Sequence, residues 1–291
     1  MKKIDILSLT SAILMLISAL CGLFYTFGGE GYKVITHTGL SVSIFGDGIY
    51  KNDTIMKVAT TKGTDIAMIF ISLLIMITVF AEKQNVKFTL LKTGFLGSLV
   101  YNSICLSMGL AFNRLFLLYV LILSTSLCSF VKNINICIKS IELNKNYITK
   151  KHAGSAVFLI IAGCSVLVWL MFIIPAIISG NPHKSMETLE IYTTEPTFVI
   201  DLGIILPTCI LSAIGIIRKQ KFAFILSSII YIVLSCVGLC VILQSVVQIQ
   251  FGVVLEIGQY IGLVSSFVIL GTISILLNLK LNRAIISQTS T

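Results

Sequence analysis

Three acids and one arginine at the edges of long apolar runs carry the candidate chemistry of this sequence. They are Asp65, Arg114, Asp201 and Glu256. Each acid stands at the start of an apolar run, and the arginine stands between two such runs. A guanidinium beside a carboxylate forms strong charge-assisted hydrogen bonds. A pairing of Arg114 with Asp65 or Asp201 would therefore close a polar site near one face of a membrane.

The same acids have a simpler interpretation, which the pattern favours. A carboxylate in the first turn of a helix is stabilised by the helix dipole by ~0.3–1 kcal/mol, so all three acids could serve only to begin helices. Asn102 differs from them because it lies well inside an apolar run. An amide at that depth hydrogen-bonds a neighbouring helix, with a gain of ~0.6–2 kcal/mol. This role is favoured over that of a substrate ligand.

The composition places these residues in a membrane. The chain is 56% hydrophobic and 11% charged, whereas soluble proteins have about 45–50% and about 25%, and its mean hydropathy is +1.02. Within the apolar runs, polar and apolar residues do not alternate, so the runs indicate helices rather than barrel strands. The sequence predicts an all-α membrane protein, a polytopic bundle of about eight transmembrane helices. The predicted spans are roughly 5–27, 66–81, 93–112, 115–131, 154–178, 201–217, 222–243 and 257–279.

The arginine lies in the middle of the longest apolar run. This run extends from Thr93 to Val131 and would be about 58 Å long as one helix at ~1.5 Å per residue. Since the hydrocarbon core of a bilayer is ~30 Å thick, the run predicts two helices joined by a tight turn at Asn113-Arg114. An arginine at such a turn can extend its side chain to water at small cost.

Most of the 21 lysines and arginines fall in alternate connections between the predicted spans. Basic residues mark the cytoplasmic side of a membrane protein. The pattern predicts a multi-pass protein of a bacterial inner membrane, with the N-terminus and the C-terminus in the cytoplasm. No basic patch is long or mixed with aromatic residues, so the lipid bilayer is the expected partner and nucleic acid is not.

Two long outer loops are predicted, 28–64 and 180–200. In the first loop, Val42 and Ile44 alternate with polar residues before Gly46-Asp47-Gly48. This pattern predicts a small extracytoplasmic β-hairpin cap with a glycine-aspartate turn. The acids Asp47 and Asp53 lack the spacing of a calcium loop, so a packed lid is favoured over a calcium site.

The chain is predicted to be a single membrane domain, 1–291, with a pattern that occurs twice. The halves 1–132 and 152–283 each contain a span, a long outer loop, an aspartate-led span and a hairpin of two spans. The entries to the aspartate-led spans read TTKGTD and TTEPTFVID. A parallel duplication would explain the pattern, but the shared stretch is short and chance similarity stays open.

No motif of a catalytic site, metal site or cofactor site is present. The sequence lacks a G-x-S-x-G elbow, an H-E-x-x-H helix and a phosphate-binding P-loop. Neither His37 nor His183 has a partner at metal-ligand spacing. All cysteines except Cys137 lie in apolar runs, so they are expected to pack as small apolar residues without disulfides. We predict no enzymatic activity, no metal and no cofactor.

Three stretches resemble a group of bacterial multi-pass membrane proteins that has no established activity. These stretches are GDGIYKNDTIMKVATTKGTD, GLAFNRLFLLYV and DLGIILPTCILSAIGIIRKQ. The resemblance covers about residues 20–260 and implies the fold and the membrane location. It falls on Tyr50, Asp53, Gly63, Asp65, Asn113, Tyr119, Asp201 and Pro207.

Two functions follow as hypotheses. The first is a transporter-like or permease-like protein with a polar site near the outer leaflet, lined by Asp65, Asn102, Arg114, Asp201 and Glu256. The second is a non-transporting sensor or assembly subunit, which docks a membrane or extracytoplasmic protein partner through its outer loops. An intramembrane enzyme ranks last, because no catalytic motif supports it.

Overall fold

The fold is almost entirely helical. It is seen in a computed structural model that describes residues 4–36, 39–81, 85–144, 152–180, 189–192, 194–253, 258, 262 and 264–287. Within these residues the helices are α1 (Ile6–Phe24), α2 (Ile55–Ala81), α3 (Val86–Gly109), α4 (Phe116–Ser140), α5 (Ala153–Ser179), α6 (Pro196–Ile217), α7 (Lys221–Gln250) and α8 (Ser265–Leu281). Each predicted span overlaps one of them, and most of the start of the last predicted span, 257–264, lies outside the described residues.

Six of these helices are long and apolar enough to cross a membrane: α1, α2, α4, α5, α6 and α7. This confirms the prediction of a multi-pass membrane protein at that level. α3 has a similar length but carries Lys87, Lys92 and Asn102, and the described part of α8 is shorter, Ser265–Leu281.

Several helices, among them α2, α3, α4 and α7, extend beyond their predicted spans, and the extensions of α2 and α4 are the longest. α2 begins at Ile55 instead of residue 66, and α4 continues to Ser140 instead of ending at residue 131. Both extensions bury residues: Val58 and Ala59 are fully buried in α2, and Cys137, predicted in a loop, is fully buried in α4. Hydropathy misses these turns because packing on one face maintains a helix after the apolar run has ended.

A β-hairpin covers one end of the bundle, which we call the cap end. Strand β1 (Tyr32–Ile35) pairs antiparallel with β2 (Ser41–Ile44), with Tyr32 opposite Ile44. The predicted cap is therefore present, but Gly46-Asp47-Gly48 is not its turn, because it follows β2. The Asp47 carboxylate instead accepts hydrogen bonds from the backbone N–H groups of Phe27, Gly29 and Gly48.

The opposite end of the bundle, the terminal end, is tied together by a second strand pair. β3 (Ile141–Leu143) follows α4 and β4 (Ile285–Ser287) follows α8, and they pair antiparallel. This pairing joins the last helix of the chain to its first half.

α7 lies at the centre of the bundle and packs against α2, α3, α6 and α8. The helix pairings of the two predicted halves follow the same order: α1–α2, α2–α3 and α3–α4 recur as α5–α6, α6–α7 and α7–α8. The halves meet where α7 packs on α2 and α3, and where α3 packs on the start of α6. Because consecutive elements usually pack together, this order agrees with a duplication without establishing it, and the duplication stays a prediction.

Candidate functional site

Asp201 is buried inside α6 and is held by two side chains from other helices. It is 7% exposed. Its Oδ1 accepts a hydrogen bond of 3.0 Å from the Tyr101 hydroxyl of α3, and its Oδ2 accepts one of 2.9 Å from Nε1 of Trp169 in α5. Both donors are neutral, so they orient the carboxylate without cancelling its charge.

The backbone around Asp201 is irregular in both helices that flank it. α6 passes through a π-helical turn at Asp201–Ile205, and α5 tightens into a 3-10 segment at Val166–Trp169. Pro207 follows the π turn directly and lacks the N–H that would bond a carbonyl of that turn. Phe198, one turn before Asp201, packs its ring 5.0 Å from that of Trp169, centroid to centroid.

An ion pair lies on the cap-end side of Asp201. Nζ of Lys57 in α2 is 2.7 Å from Oε2 of Glu195, the residue before α6, and the two side chains are only 16% and 24% exposed. The same ammonium lies 5.2 Å from the ring centroid of Tyr192. We call the set Lys57, Tyr101, Trp169, Glu195 and Asp201 the cap-end seam, because it joins α2 and α3 of the first half to α5 and α6 of the second.

Asp53 fastens the loop before α6 onto the first half. It is fully buried, and its Oδ1 accepts hydrogen bonds from the backbone N–H of Ala111 at 2.8 Å and from the Tyr192 hydroxyl at 2.7 Å. Its Oδ2 has no hydrogen-bond partner among the described residues. Burial raises the pKa of the Asp53 carboxyl, and the two hydrogen bonds offset part of that rise. These contacts are those of a packed lid, as the sequence favoured.

Asp65 is the third deeply buried acid toward the cap end, after Asp201 and Asp53. It is 1% exposed, and its Oδ2 accepts a hydrogen bond of 2.7 Å from the Tyr50 hydroxyl. Tyr50 precedes α2 and is itself 1% exposed, and burial raises the pKa of its hydroxyl well above the usual value. The Tyr119 side chain of α4 is buried next to this pair.

Neither acid begins a helix, so stabilisation by the helix dipole does not explain them. α2 begins at Ile55 and α6 at Pro196, which places Asp65 and Asp201 beyond the first turn. The dipole effect falls off within that turn. The interpretation favoured from the sequence is therefore wrong for these two acids, because both helices begin earlier than the hydropathy indicates.

The alternative hypothesis, a pairing of Arg114 with Asp65 or Asp201, is also not what the structure shows. Arg114 is exposed on the turn between α3 and α4, and its Nη1 lies 3.4 Å from the Tyr25 hydroxyl. The turn itself is where the sequence predicts it, and the Asn113 Oδ1 accepts a hydrogen bond from the backbone N–H of Leu115. The arginine points to the surface because both acids lie inside the helix bundle.

The other two predicted site residues have different outcomes. Asn102 is 5% exposed, and its Nδ2 donates to the sulfur of Met15 in α1 at 3.6 Å. This confirms a bond to a neighbouring helix and directs the amide away from the cap-end seam. Glu256 lies outside the described residues, as do His37 and His183.

Sequence reasoning missed most of the residues that surround the acids. Tyr101 and Trp169 stand out in the sequence as polar groups in apolar runs, but nothing local links them to Asp201. Lys57 and Glu195 give no signal, because lysine and glutamate in an outer loop are ordinary surface residues. Only the packing of α3 against the start of α6 and the Lys57–Glu195 ion pair bring these residues together.

The terminal end contains a fourth buried acid, Asp5, with a different set of partners. Oδ2 of Asp5 is 2.8 Å from Nζ of Lys92, and Oδ1 is 2.8 Å from Nζ of Lys132. Ser8 and Asn133 also donate hydrogen bonds to this carboxylate, at 2.6 and 3.0 Å. Burial raises the pKa of Asp5, but the four hydrogen bonds outweigh it and hold the pKa far below its usual value. We call these five residues the terminal-end ionic cluster.

No group of three or more histidine, cysteine, aspartate or glutamate side chains in the described part of the chain could hold a metal ion. In comparisons with protein-family models, with curated proteins and with solved structures, no match to the chain was found. The resemblance described above therefore stays a prediction.

Proposed function

We propose that this chain is a transporter-like membrane protein that binds a small cationic solute at the cap-end seam. The observation that carries the proposal is the buried Asp201 carboxylate, which neutral donors from two other helices hold in a π-helical turn. The six membrane-length helices supply the setting.

The interrupted helices support a binding role. π turns inside α-helices are frequently found at functional sites. Broken helices at membrane depth are tolerated where protein or a polar cavity satisfies the freed backbone groups, and transporters commonly bind their substrates there. Here α5 and α6 are both irregular at the level of Asp201.

The charge and the aromatic surroundings of the site favour a cation. The Lys57 ammonium is paired with Glu195, and no lysine or arginine of the described ranges lies within ion-pair distance of Asp201. Two hydrogen bonds favour the ionised form of this carboxylate, and a bound cation would supply the positive charge that it lacks. The rings of Trp169 and Phe198 lie beside it, and aromatic faces attract ammonium groups by ~0.5–2 kcal/mol.

The orientation follows from the lysine distribution. We propose that the cap end faces outward from a bacterial inner membrane and that both termini lie in the cytoplasm. A reporter enzyme that is active only in the cytoplasm, fused after Thr291, should be active. The matching fusion within the loop before α2, after Gly39, should be inactive, and the reverse result would overturn the orientation.

The chain carries its own reporter for the binding test, because Trp169 is its single tryptophan. Tetramethylammonium chloride, added to the purified full-length protein, should change the tryptophan emission saturably, whereas sodium chloride at equal ionic strength should not. Asp201→Asn should abolish the saturable change, while Arg114→Gln, which alters an exposed charge of the cap end, should retain it. A saturable change that persists in Asp201→Asn would contradict the proposed site.

A second function is favoured by one feature of the cap. β1 is an open strand edge, and its side chains Tyr32 and Ile35 are 50% and 78% exposed. Open apolar edges can pair with a strand of another protein. A non-transporting sensor or assembly subunit would use this edge, and Ile35→Lys would then remove its activity in cells while leaving the fluorescence response to the cation intact.

A further inference from the structure

We infer that Asp65, together with Tyr50, forms a proton-binding site that is separate from the cap-end seam. The inference rests on the proposed transport function and deepens it, because it names the proton as the ion that is coupled to movement of the solute. Four observations on the packing around Asp65 carry it.

The first observation is the depth of the acid. α2 extends from Ile55 to Ala81, about 40 Å at ~1.5 Å per residue, which exceeds the ~30 Å of the hydrocarbon core. Asp65 lies about 24 Å from the Ala81 end on the same measure. The carboxyl group is therefore inside the hydrocarbon region, where ionisable residues are costly and generally functional.

The second observation is the lack of charge compensation. Among the described residues, the hydrogen-bond partner of the Asp65 carboxyl is a neutral donor, the Tyr50 hydroxyl at 2.7 Å. No cationic nitrogen of the described residues lies within 4.0 Å of the carboxylate. An isolated buried carboxylate that is not paired becomes neutral by taking up a proton.

The third observation concerns the titratable groups that face the site. Tyr50 from the loop and Tyr119 from α4 are neutral at physiological pH, and α1 contributes the backbone at Gly22. Lys62, one turn earlier in α2, is the nearest cation, but its Nζ donates to the carbonyl of Leu23 at 3.3 Å and lies 5.5 Å from the ring centroid of Phe45. The ammonium is thus held toward the cap.

The fourth observation is the close contact with α1 at Gly22. A Cβ atom at this position would collide with both the Tyr50 hydroxyl and the Asp65 Oδ2. Only glycine lets the α1 backbone cover the hydrogen bond so closely. The helix therefore excludes water from the pair and fixes the distance between the two oxygens.

These contacts define a balanced proton step. When the contact with α1 at Gly22 opens to solvent, the neutral acid gives one proton to a water molecule, which becomes hydronium, and Asp65 is left as a carboxylate. The Tyr50 hydroxyl donates its hydrogen bond to Oδ2 in both states. The ionised state needs a positive charge nearby, and Lys62 can supply it if its ammonium leaves Leu23 for the carboxylate. Proton release is thereby linked to a movement on the side of the bundle that faces the cap.

Infrared spectroscopy of the purified full-length protein tests the site directly. At neutral pH the parent should show a carbonyl stretching band of a protonated carboxylic acid, which shifts in heavy water. Asp65→Asn should lose this band, whereas Asp201→Asn should retain it. If Asp65→Asn and the parent have the same spectrum in this region, Asp65 is ionised at rest and the inference is overturned.

Two further variants keep the test usable if Asp65→Asn does not fold. Tyr50→Phe keeps the acid and should shift the band, because the hydrogen bond to Oδ2 is lost. Gly22→Ala should shift it as well, while Gly154→Ala, where a Cβ meets nothing within 4 Å, should leave it unchanged. An unshifted band in both Tyr50→Phe and Gly22→Ala would overturn the assignment to Asp65.

The Trp169 titration separates this inference from the proposed function. Asp65→Asn should still bind tetramethylammonium, because the cap-end seam does not contain Asp65. Normal cation binding together with an unchanged infrared spectrum would reject the proton site alone. If Asp65→Asn loses the infrared band but the parent shows no saturable cation binding, the proposed function alone is rejected.

Discussion

The two ends of the bundle bury acids to a similar extent but satisfy them differently. Asp5 at the terminal end is 6% exposed, and Asp65 and Asp201 toward the cap end are 1% and 7% exposed. Two ammonium groups pair with Asp5, whereas only neutral donors bond the other two. A fully compensated charge fixes helices in place, while an acid held by neutral donors keeps its capacity for a proton or a cation.

The largest effect on stability is expected when the ion pairs of Asp5 at the terminal end are removed. Asp5→Asn leaves the Lys92 ammonium, whose side chain is 1% exposed, without its carboxylate. Loss of one partner from a buried pair costs about 3–5 kcal/mol, and the free energy of unfolding should fall by that amount. Chemical denaturation in detergent measures it.

A compensating variant makes this prediction specific. Adding Lys92→Met to Asp5→Asn removes the buried ammonium that has lost its ion pair with Asp5 and should recover most of the lost free energy of unfolding. Lys132→Met alone should have a smaller effect, because that side chain is 50% exposed. If the double variant is no more stable than Asp5→Asn, the charge pair is not what holds α1 to α3 and α4.

Smaller effects on stability should distinguish Asp65 from Asp201. Tyr101→Phe removes a hydrogen bond to a carboxylate that we propose is ionised, at a cost of ~1.5–3 kcal/mol. Tyr50→Phe removes one to an acid that we infer is neutral, at a cost of ~0.5–1.5 kcal/mol. Thermal unfolding of both variants should therefore rank Tyr101→Phe as the less stable.

The matched control is Tyr25→Phe, whose hydroxyl bonds, within the described part of the chain, to the exposed Arg114 at 3.4 Å. The Tyr25→Phe variant should unfold at the same temperature as the parent. The reverse ranking of Tyr50→Phe and Tyr101→Phe would mean that Asp65, not Asp201, carries the charge.

The smallest effect concerns Asp53 and depends on pH. Its folded-state pKa is raised, first by burial, so the neutral form is favoured in the folded protein. Stability from this group is thus fully present below its ordinary pKa and is lost as the pH rises through the raised value. Asp53→Asn keeps both hydrogen bonds with its amide oxygen and should lack this loss.

The measurement is the difference in unfolding temperature between the parent and Asp53→Asn across the mildly acidic range. The unfolding temperature of Asp53→Asn should rise relative to that of the parent as the pH rises. The unfolding temperature of Asp47→Asn should not, because backbone N–H groups, led by that of Phe27, lower the pKa of Asp47. A variant that falls behind the parent at neutral pH would show that the ionised Asp53 stabilises the lid.

Asp65 and Asp201 allow the two predicted halves of the chain to be compared. Asp65 and Asp201 lie at the same distance from the terminal ends of α2 and α6, about 24 Å at ~1.5 Å per residue. Each accepts a hydrogen bond from a tyrosine, but Tyr50 belongs to the same half as Asp65, whereas Tyr101 reaches Asp201 from the other half. The halves are thus similar in helix order and different in how they hold the acid.

Sequence alone determined where the helices are and how the longest apolar run turns. Hydropathy is a local property, so the runs around Asn113-Arg114 predict a hairpin whose helices end at Gly109 and begin at Phe116 in the structure. Helix ends that depend on packing, such as Ile55 and Ser140, were not predictable in this way.

Only the tertiary structure decided what each buried acid meets. Tyr50 is 15 residues from Asp65 and Tyr101 is 100 residues from Asp201. Such contacts depend on how each helix is rotated about its axis and where it crosses its neighbours. Hydropathy carries no record of that rotation, because a helix of this composition is apolar on almost every face.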